Sequence, residues 1–323
     1  MSWQAFLASA GRCRWILPAL AAAGFVFALL ADRYPLINSY TQFVLITVGI
    51  NIILSTSLNL VNGYMGEFSV GHAGFMSLGA YAAAVLTTKW LPNVPWAFFP
   101  SVLFGGMVAA LVGFLLALLS FKTRGDYLAI ITLAFLMIVK SAIENIPYLG
   151  GPRGVLGIDK YTTLPWAFVW VVVTLWVIRN FVYSKFGRAV VAIREDEIAA
   201  NAMGVRTREA KILAFVVSSF FGGVAGGLFA HQIQFINPSS FDILKSTEIL
   251  VMVYLGGVGS LAGSILGAVI FTFLAQALQP LGTWRMVIMS LILVFLMLFR
   301  PRGFMGLREL TWFLPKRELS KVQ

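Results

Sequence analysis

Long apolar segments recur along the whole of this chain, and the charged residues are confined mainly to the intervals between them. A hydrocarbon core about 30 Å thick is crossed by about 20 helical residues, and a helix satisfies its own backbone hydrogen bonds there. Only 11% of the 323 residues are charged and 59% are hydrophobic, so the chain cannot present an ordinary water-facing surface. These features predict an all-α integral membrane protein that is largely covered by lipid.

Ten apolar segments have about the right size, so we predict about ten transmembrane helices in a single domain covering residues 1–323. The eighth segment is too short to cross alone unless its helix starts earlier or continues through the glycines after it. The first resembles a signal peptide, but no cleavage site of small residues follows it, which favours a retained helix. The segments are approximately Trp15–Ala31, Leu36–Leu60, Ser69–Thr88, Trp96–Phe121, Tyr127–Ile146, Leu164–Phe181, Ile212–His231, Thr247–Leu255, Leu261–Leu278 and Trp284–Phe299.

The 24 lysines and arginines divide unevenly between the two sides of this arrangement. An even number of spans puts both termini on one side, and short cytoplasmic loops carry an excess of Lys and Arg. Most basic residues fall on the side of the termini, so we expect both termini, with a C-terminal tail of about residues 300–323, in the cytoplasm. Lys140 lies within a span, and the opposite side receives only Arg33, Lys89, Arg153, Lys160, Lys245 and Arg285.

Several classes of function are excluded by residues that the chain lacks. The net charge of +11 does not indicate nucleic-acid binding, because the charges lie between apolar runs and form no basic face. One cysteine and two histidines are too few for a disulfide framework or a zinc cluster. The chain contains no G-x-x-x-x-G-K-[ST] phosphate-binding loop, so it is not an ATPase. We expect no catalytic residues, no metal site and no cofactor bound by this chain.

Two glycine-rich stretches interrupt the apolar pattern, one in each half of the chain. Interrupted helices occur in membranes only where protein or water satisfies the freed backbone groups, and paired interruptions are typical of transporters. Their side chains are candidates for lining a translocation path, or for packing helices through hydrogen bonds, and the residues alone leave both interpretations open. The candidates are Asn59, Gly63, Tyr64, Gly66, Ser69, Gly71 and His72 in the first stretch and Gly256, Gly257, Gly259 and Ser260 in the second.

Lys140 and Glu144 are charged residues inside the fifth predicted span. Because they are four residues apart, they lie one helical turn from each other, and we predict that they form an intramembrane ion pair. A contact with solute is the alternative. The spans contain no chain of carboxylates, which argues against a carrier driven by protons or sodium ions.

The interval between the sixth and seventh spans, about residues 184–211, is the longest charged stretch. Three acidic residues at 195–197 favour the start of a helix, and Gly204 is the residue type that ends one. Ile198, Ala199, Ala202 and Met203 would form a small apolar stripe on this helix. Such a helix suits a groove on a partner, and a solvated linker is the equal alternative.

Motifs distributed over most of the chain resemble those of the LivM-like branch of branched-chain amino acid ABC importer permeases, a family to which urea and short-amide permeases are closely similar. The resemblance implies an ABC importer fold in a bacterial inner membrane, with a coupling segment formed by Arg194, Glu195, Asp196, Glu197, Ala199, Ala200 and Gly204. It also implies a second related permease subunit, two cytoplasmic ATPase subunits that use ATP, and an extracytoplasmic solute-binding protein. The motifs are Asn59 to Tyr81, Thr123 to Ile130, Gly150 to Gly154, Phe186 to Gly204, Gly256 to Gly267 and Arg300 to Gly303.

A self-sufficient secondary transporter or channel, built on broken helices, is the alternative class of function. Such a protein would move solute without ATP or other subunits. A membrane-embedded enzyme is disfavoured, since no spans share a pair of acid and base groups beyond Lys140 and Glu144. The residues do not identify the solute or show whether the second permease subunit is identical to this chain.

Overall fold

A computed structural model describes residues 22–34, 38–92, 94–121, 127–282, 284–299, 303–306 and 309, and this part of the chain is almost entirely helical. The α-helices are α1 (22–33), α2 (Ser39–Asn59), α3 (His72–Val85), α4 (Phe98–Ser120), α5 (Tyr127–Asn145), α6 (Leu164–Val182), α7 (Lys185–Glu195), α8 (Glu197–Ala202), α9 (Thr207–Ile233), α10 (Ile243–Gly256), α11 (Leu261–Ala277) and α12 (Trp284–Phe299).

Shorter elements join or extend these helices. π-helical turns continue α2 over Leu60–Met65 and α3 over Leu86–Trp90. Strands β1 (Val155–Leu156) and β2 (Phe235–Ile236) pair antiparallel. 3-10 turns cover Pro95–Ala97, Pro147–Leu149, Gly151–Arg153, Pro238–Phe241 and Gln279–Leu281. The start of the predicted first span, motif residues 123–126 and 300–302, and most of the predicted C-terminal tail lie outside the described residues.

The helices confirm the predicted all-α membrane fold with glycine-rich interruptions. Each predicted span corresponds to an apolar helix, and α7 and α8 occupy the charged interval between the sixth and seventh. Among the residues that the structure describes, five helices, with the turns that extend them, are long and apolar enough to cross a membrane, judged by length and composition alone: Ser39–Met65, Pro95–Ser120, Tyr127–Asn145, Leu164–Val182 and Thr207–Ile233.

The short eighth span starts earlier than its apolar residues indicate. Helix α10 begins at Ile243, where the Asp242 carboxylate accepts the first backbone N–H at 2.6 Å. It still has only 14 residues and ends at Gly256, so it is about 21 Å long. The glycines after it break the helix, because Gly257 and Gly259 have positive φ angles.

Two long helices form the centre of the bundle. Helix α9 packs against α2, α3 and α4, and α2 packs in addition against α6, α10 and α11. The approach of α3 to α9 depends on Gly79, since a Cβ at this position would overlap the backbone of Gly223. This close contact makes Gly79 part of a helix-packing face.

Candidate functional site

The two glycine-rich interruptions meet at the end of the bundle that carries α7 and α8. We call this region the glycine junction, and it consists of residues 59–66 and 256–260. A Cβ on Gly63 would overlap Asn59 Oδ1 and the backbone of Gly259, so only glycine allows the two segments to come this close. The junction therefore joins the π-helical end of α2 to the turn between α10 and α11.

Hydrogen bonds from Asn59 hold the glycine junction together. Its fully buried amide group donates to Ser260 O at 2.9 Å and to Ser264 Oγ at 2.7 Å. Its Oδ1 accepts the Gly259 N–H at 2.8 Å. The Ser260 hydroxyl in turn accepts the Gly263 N–H at 3.0 Å and caps α11. In this conformation Asn59 and Ser260 make the contacts of helix packing, one of the two predicted alternatives.

The irregular backbone between the π turn and α3 is satisfied by polar groups from neighbouring helices. The Ser69 N–H donates to Asn62 Oδ1 at 3.2 Å, and the Val70 N–H donates to Thr132 Oγ1 at 3.1 Å. Helix α3 then begins at His72, directly after Gly71. Nonhelical backbone inside a membrane protein requires such internal partners. Ser69 and Gly71 thus belong to a segment that the π turn and α5 hold in place.

His72 is buried where α2, α3 and α9 meet. Its Nε2 forms a hydrogen bond of 2.8 Å with Ser57 Oγ, and its ring packs edge-on against Phe75. Gly222 of α9 faces the same ring, because a Cβ there would lie 3.2 Å from Nε2. The geometry fits the hydrogen-bonding interpretation of His72.

The charged interval forms two helices instead of the single coupling helix expected over residues 194–204. Helix α7 ends at Glu195, and the extended Asp196 accepts the N–H groups of Ile198 at 2.8 Å and Ala199 at 3.0 Å. An aspartate at this position caps a new helix, which explains the break. The predicted end is confirmed, since α8 stops just before Gly204 with its φ of 83°.

Helix α8 turns its apolar stripe outward. Ile198 and Met203 are 81% and 85% exposed, and Ala199 and Ala202 lie on the same exposed surface. Of the residues in α8, Ala200 is the one that is buried. The predicted stripe therefore forms, and nothing within the described part of the chain covers it.

Two cations link α7 and α8 to the glycine junction. Arg194 Nη1 donates to Gly63 O at 3.2 Å, while its Nη2 pairs with Glu195 at 2.6 Å. Lys211, near the start of α9, pairs with Glu67 at 2.6 Å and with Glu197 at 2.8 Å.

A carboxylate from the C-terminal side closes the glycine junction. Glu309 Oε1 accepts a hydrogen bond of 2.8 Å from the Tyr64 hydroxyl and another from the Leu261 N–H at the start of α11. Burial raises the pKa of the Glu309 carboxyl, although the hydrogen bonds that it accepts oppose this shift. Tyr64 is thereby part of a contact between α2, α11 and residue 309.

The predicted ion pair between Lys140 and Glu144 does not form. Lys140 Nζ instead lies 3.1 Å from Asp242 Oδ2, where α5 packs against the 3-10 turn that precedes α10. The backbone N–H of Ile243 and the Lys140 ammonium lower the pKa of the Asp242 carboxyl. A partner about one hundred residues away in sequence replaces the neighbour in the same helix.

Sequence reasoning did not select Lys211, Glu67, Ser264 or Glu309 as site residues. Lys211 carried a usable signal, because a lysine close to a long apolar run must either reach water or find carboxylate partners. The roles of Ser264 and Glu309 depend on contacts with residues 205 and 245 positions away, and no local pattern indicates them.

Comparison with known proteins adds independent evidence. Residues 40–299 match the family described as the permease component of branched-chain amino acid transport systems. The chain is 32% identical to the high-affinity branched-chain amino acid transport system permease protein LivM of Escherichia coli, over 94% of this chain and 80% of that protein. It is 25% identical to the probable branched-chain amino acid transport permease LivM of Methanocaldococcus jannaschii, over 74% and 81%.

A more distant similarity covers part of the chain. It is 31% identical to the autoinducer 2 import system permease LsrC of Yersinia pseudotuberculosis, over 42% of this chain and 40% of that protein. No solved structure matches. The family match covers most of the chain, including the glycine junction and helices α7 and α8. This multi-pass membrane protein therefore belongs to the family of permease components of branched-chain amino acid transport systems.

Proposed function

We propose that this chain is a membrane-spanning subunit of an ABC importer that moves branched-chain amino acids inward when partner ATPases bind and hydrolyse ATP. A second permease subunit of related fold, two cytoplasmic ATPase subunits and an extracytoplasmic solute-binding protein would complete the importer. Family membership supports this assignment, together with relatives whose names specify high-affinity branched-chain amino acid transport.

The exposed stripe on α8 is the observation that carries the proposal. Two large apolar side chains, Ile198 and Met203, project from a short helix whose other side is tied to the bundle. Adjacent exposed apolar residues with a polar surround are typical of a protein interaction site. In this proposal α8 enters a groove on an ATPase subunit, and closure of the two ATPases moves α8.

Association with the ATPase subunits tests the docking role. Ile198→Glu combined with Met203→Glu should abolish co-purification of the ATPases from membranes, because each charge would be buried in an apolar groove. Leu156→Glu is the matched control, since Leu156 is 71% exposed and lies in β1, outside α7 and α8. Undiminished co-purification with the α8 double variant would refute the docking assignment.

The proposed orientation places both termini, α7 and α8 in the cytoplasm. A cysteine introduced as Glu195→Cys, with the native Cys13 changed to serine, should react with a membrane-impermeant maleimide only after the membrane is opened. Labelling in intact spheroplasts would place α8 on the outer face and contradict the proposal.

Reconstitution tests both the energy source and the solute. The complete importer should take up leucine, isoleucine or valine only with ATP and loaded solute-binding protein. Uptake by this chain alone in liposomes, without ATP, would instead support a secondary transporter or channel. Because urea and short-amide permeases are closely similar to the family that the sequence resembles, competition by urea and short amides should be measured alongside the amino acids.

A further inference from the structure

Lys211 is a buried cation shared between two separate parts of the chain. Its side chain is only 8% exposed, and its Nζ lies 2.6 Å from Glu67 Oε1 and 2.8 Å from Glu197 Oε2. A lysine is rarely buried unless its charge is paired, and removing a partner from a buried pair is strongly unfavourable. The two carboxylates and the ammonium should therefore move together.

The two carboxylates belong to different structural units. Glu197 is the first residue of α8, whereas Glu67 follows Gly66, directly after the π turn of the glycine junction. Lys211 lies in the first turns of α9, next to both. This cluster of Glu67, Glu197 and Lys211, which we call the lysine bridge, connects α8 to the residue that follows the π turn of the glycine junction.

Arg194 makes a second connection in parallel. Its guanidinium donates to Gly63 O, and its aliphatic stem packs on Gly66, where a Cβ would overlap it. Both connections end on the segment that follows Asn59. The Asn59 side chain is itself hydrogen-bonded to the turn between α10 and α11. A displacement of α8 would thus be transmitted to the two interrupted helices through the lysine bridge, Arg194 and Asn59.

We propose that Lys211 is a positioning residue that transmits the movement of α8 to the glycine junction, an inference that rests on the proposed coupling to ATPases. Helix α8 has little other anchorage, because Ala200 is its buried residue. The two short charge-assisted bonds of the lysine bridge are stronger than neutral hydrogen bonds, so they resist displacement of α8 both toward and away from the bundle. The bridge converts ATPase closure into a shift of the π turn.

The test uses the complete importer in proteoliposomes, with uptake and ATP hydrolysis measured in the same samples. Lys211→Met should lower uptake per ATP hydrolysed about tenfold, equivalent to about 1.4 kcal/mol of coupling, with the ATPase content of each sample measured so that the ratio refers to assembled importers. Lys211→Arg keeps the charge and should remain within about twofold of the unmodified importer. Arg206→Met, in an exposed pair with Glu209 on the same segment, is the matched control and should have no effect.

A double-mutant cycle separates transmission from general instability. If Lys211 acts through Glu67, Lys211→Met combined with Glu67→Gln should couple no worse than Lys211→Met alone. Additive losses, or normal uptake per ATP with Lys211→Met, would overturn the inference. If Lys211→Met does not accumulate, Glu67→Gln replaces it as the test, because Glu197 still pairs with the lysine in that variant. A loss of about threefold in uptake per ATP supports the lysine bridge, and an unchanged ratio refutes it.

The two proposals fail in different ways. If the unmodified chain transports without ATPases or does not bind them, the importer assignment and the lysine bridge fall together. If the unmodified importer couples uptake to ATP and the Lys211 variants do so equally well, only the lysine bridge is refuted.

Discussion

Replacing Asn59 by alanine should destabilise the fold much more than the same change at another buried asparagine of α2. Asn59→Ala leaves the buried Gly259 N–H without its acceptor, which costs about 1–3 kcal/mol. Ser264 Oγ keeps its own bond of 3.1 Å to Ser260 O, so each of the two short bonds that the amide donates, to Ser260 O and to Ser264 Oγ, costs about 0.6 kcal/mol when lost. The expected total is about 2–4 kcal/mol.

Asn51 provides the matched control on the same helix. It is also buried, but its amide makes one bond, of 2.8 Å, to Thr272 Oγ1, and that hydroxyl still donates to Ala268 O. Asn51→Ala should therefore cost about 0.6–1.7 kcal/mol. Both changes remove the same amide group, so the contribution from the cavity largely cancels in the comparison.

Unfolding of the full-length chain in mixed micelles, followed by tryptophan fluorescence, measures both free energies. Asn59→Ala should be less stable than Asn51→Ala by about 2 kcal/mol. Equal costs, or a larger cost at Asn51, would show that the glycine junction is not held by Asn59.

Three further predictions concern other contacts. Gly79→Ala should destabilise the chain by about 1–3 kcal/mol or more, because a Cβ overlaps the α9 backbone, whereas Gly49→Ala, with Cβ contacts of 3.4 Å and longer, should be tolerated in the same unfolding assay. The Ile243 N–H and, after it, the Lys140 ammonium lower the pKa of the Asp242 carboxyl, so its ionised form stabilises the fold above the usual carboxyl range. The part due to the ion pair with Lys140, at most about 1 kcal/mol for a partly exposed pair, should be lost as the pH falls through the lowered pKa and be absent in Asp242→Asn. The raised pKa of Glu309 has the opposite effect on stability, because the neutral carboxyl is favoured in the folded state, so stability should be lost as the pH rises through that raised pKa. Hydrogen exchange at residues 303–309 should then increase with pH, but not in Glu309→Gln.

The sequence was sufficient to predict the helices and the two interruptions. Apolar length alone located the helices, because the thickness of the hydrocarbon core imposes it. Gly204 and the acidic residues before α8 indicated its limits correctly, since capping depends on neighbouring residues. The break at Asp196 falls inside the coupling segment that the resemblance implies, so that segment spans parts of two helices instead of one.

Contacts between distant residues could not be predicted in the same way. Asn59 and Gly259 are 200 positions apart, and only the folded bundle brings them together. The rule for residues four apart indicated Glu144 as the partner of Lys140, but packing of α5 against the 3-10 turn before α10 supplied Asp242. Lys211 illustrates the same limit, because its burial depends on elements from three parts of the chain.

The shortness of α10 has a practical consequence for anyone shortening or tagging this protein. Its last carbonyl groups, those of Leu255 and Gly256, accept the N–H groups of Phe304 and Met305 at 3.0 Å each. Residues 303–306 therefore satisfy the carbonyl groups at the C-terminal end of α10. A deletion beginning before residue 303 would leave these two carbonyl groups without hydrogen-bond donors at the edge of the bilayer. Affinity tags should be attached after residue 309, where they leave the backbone hydrogen bonds of Phe304 and Met305 intact.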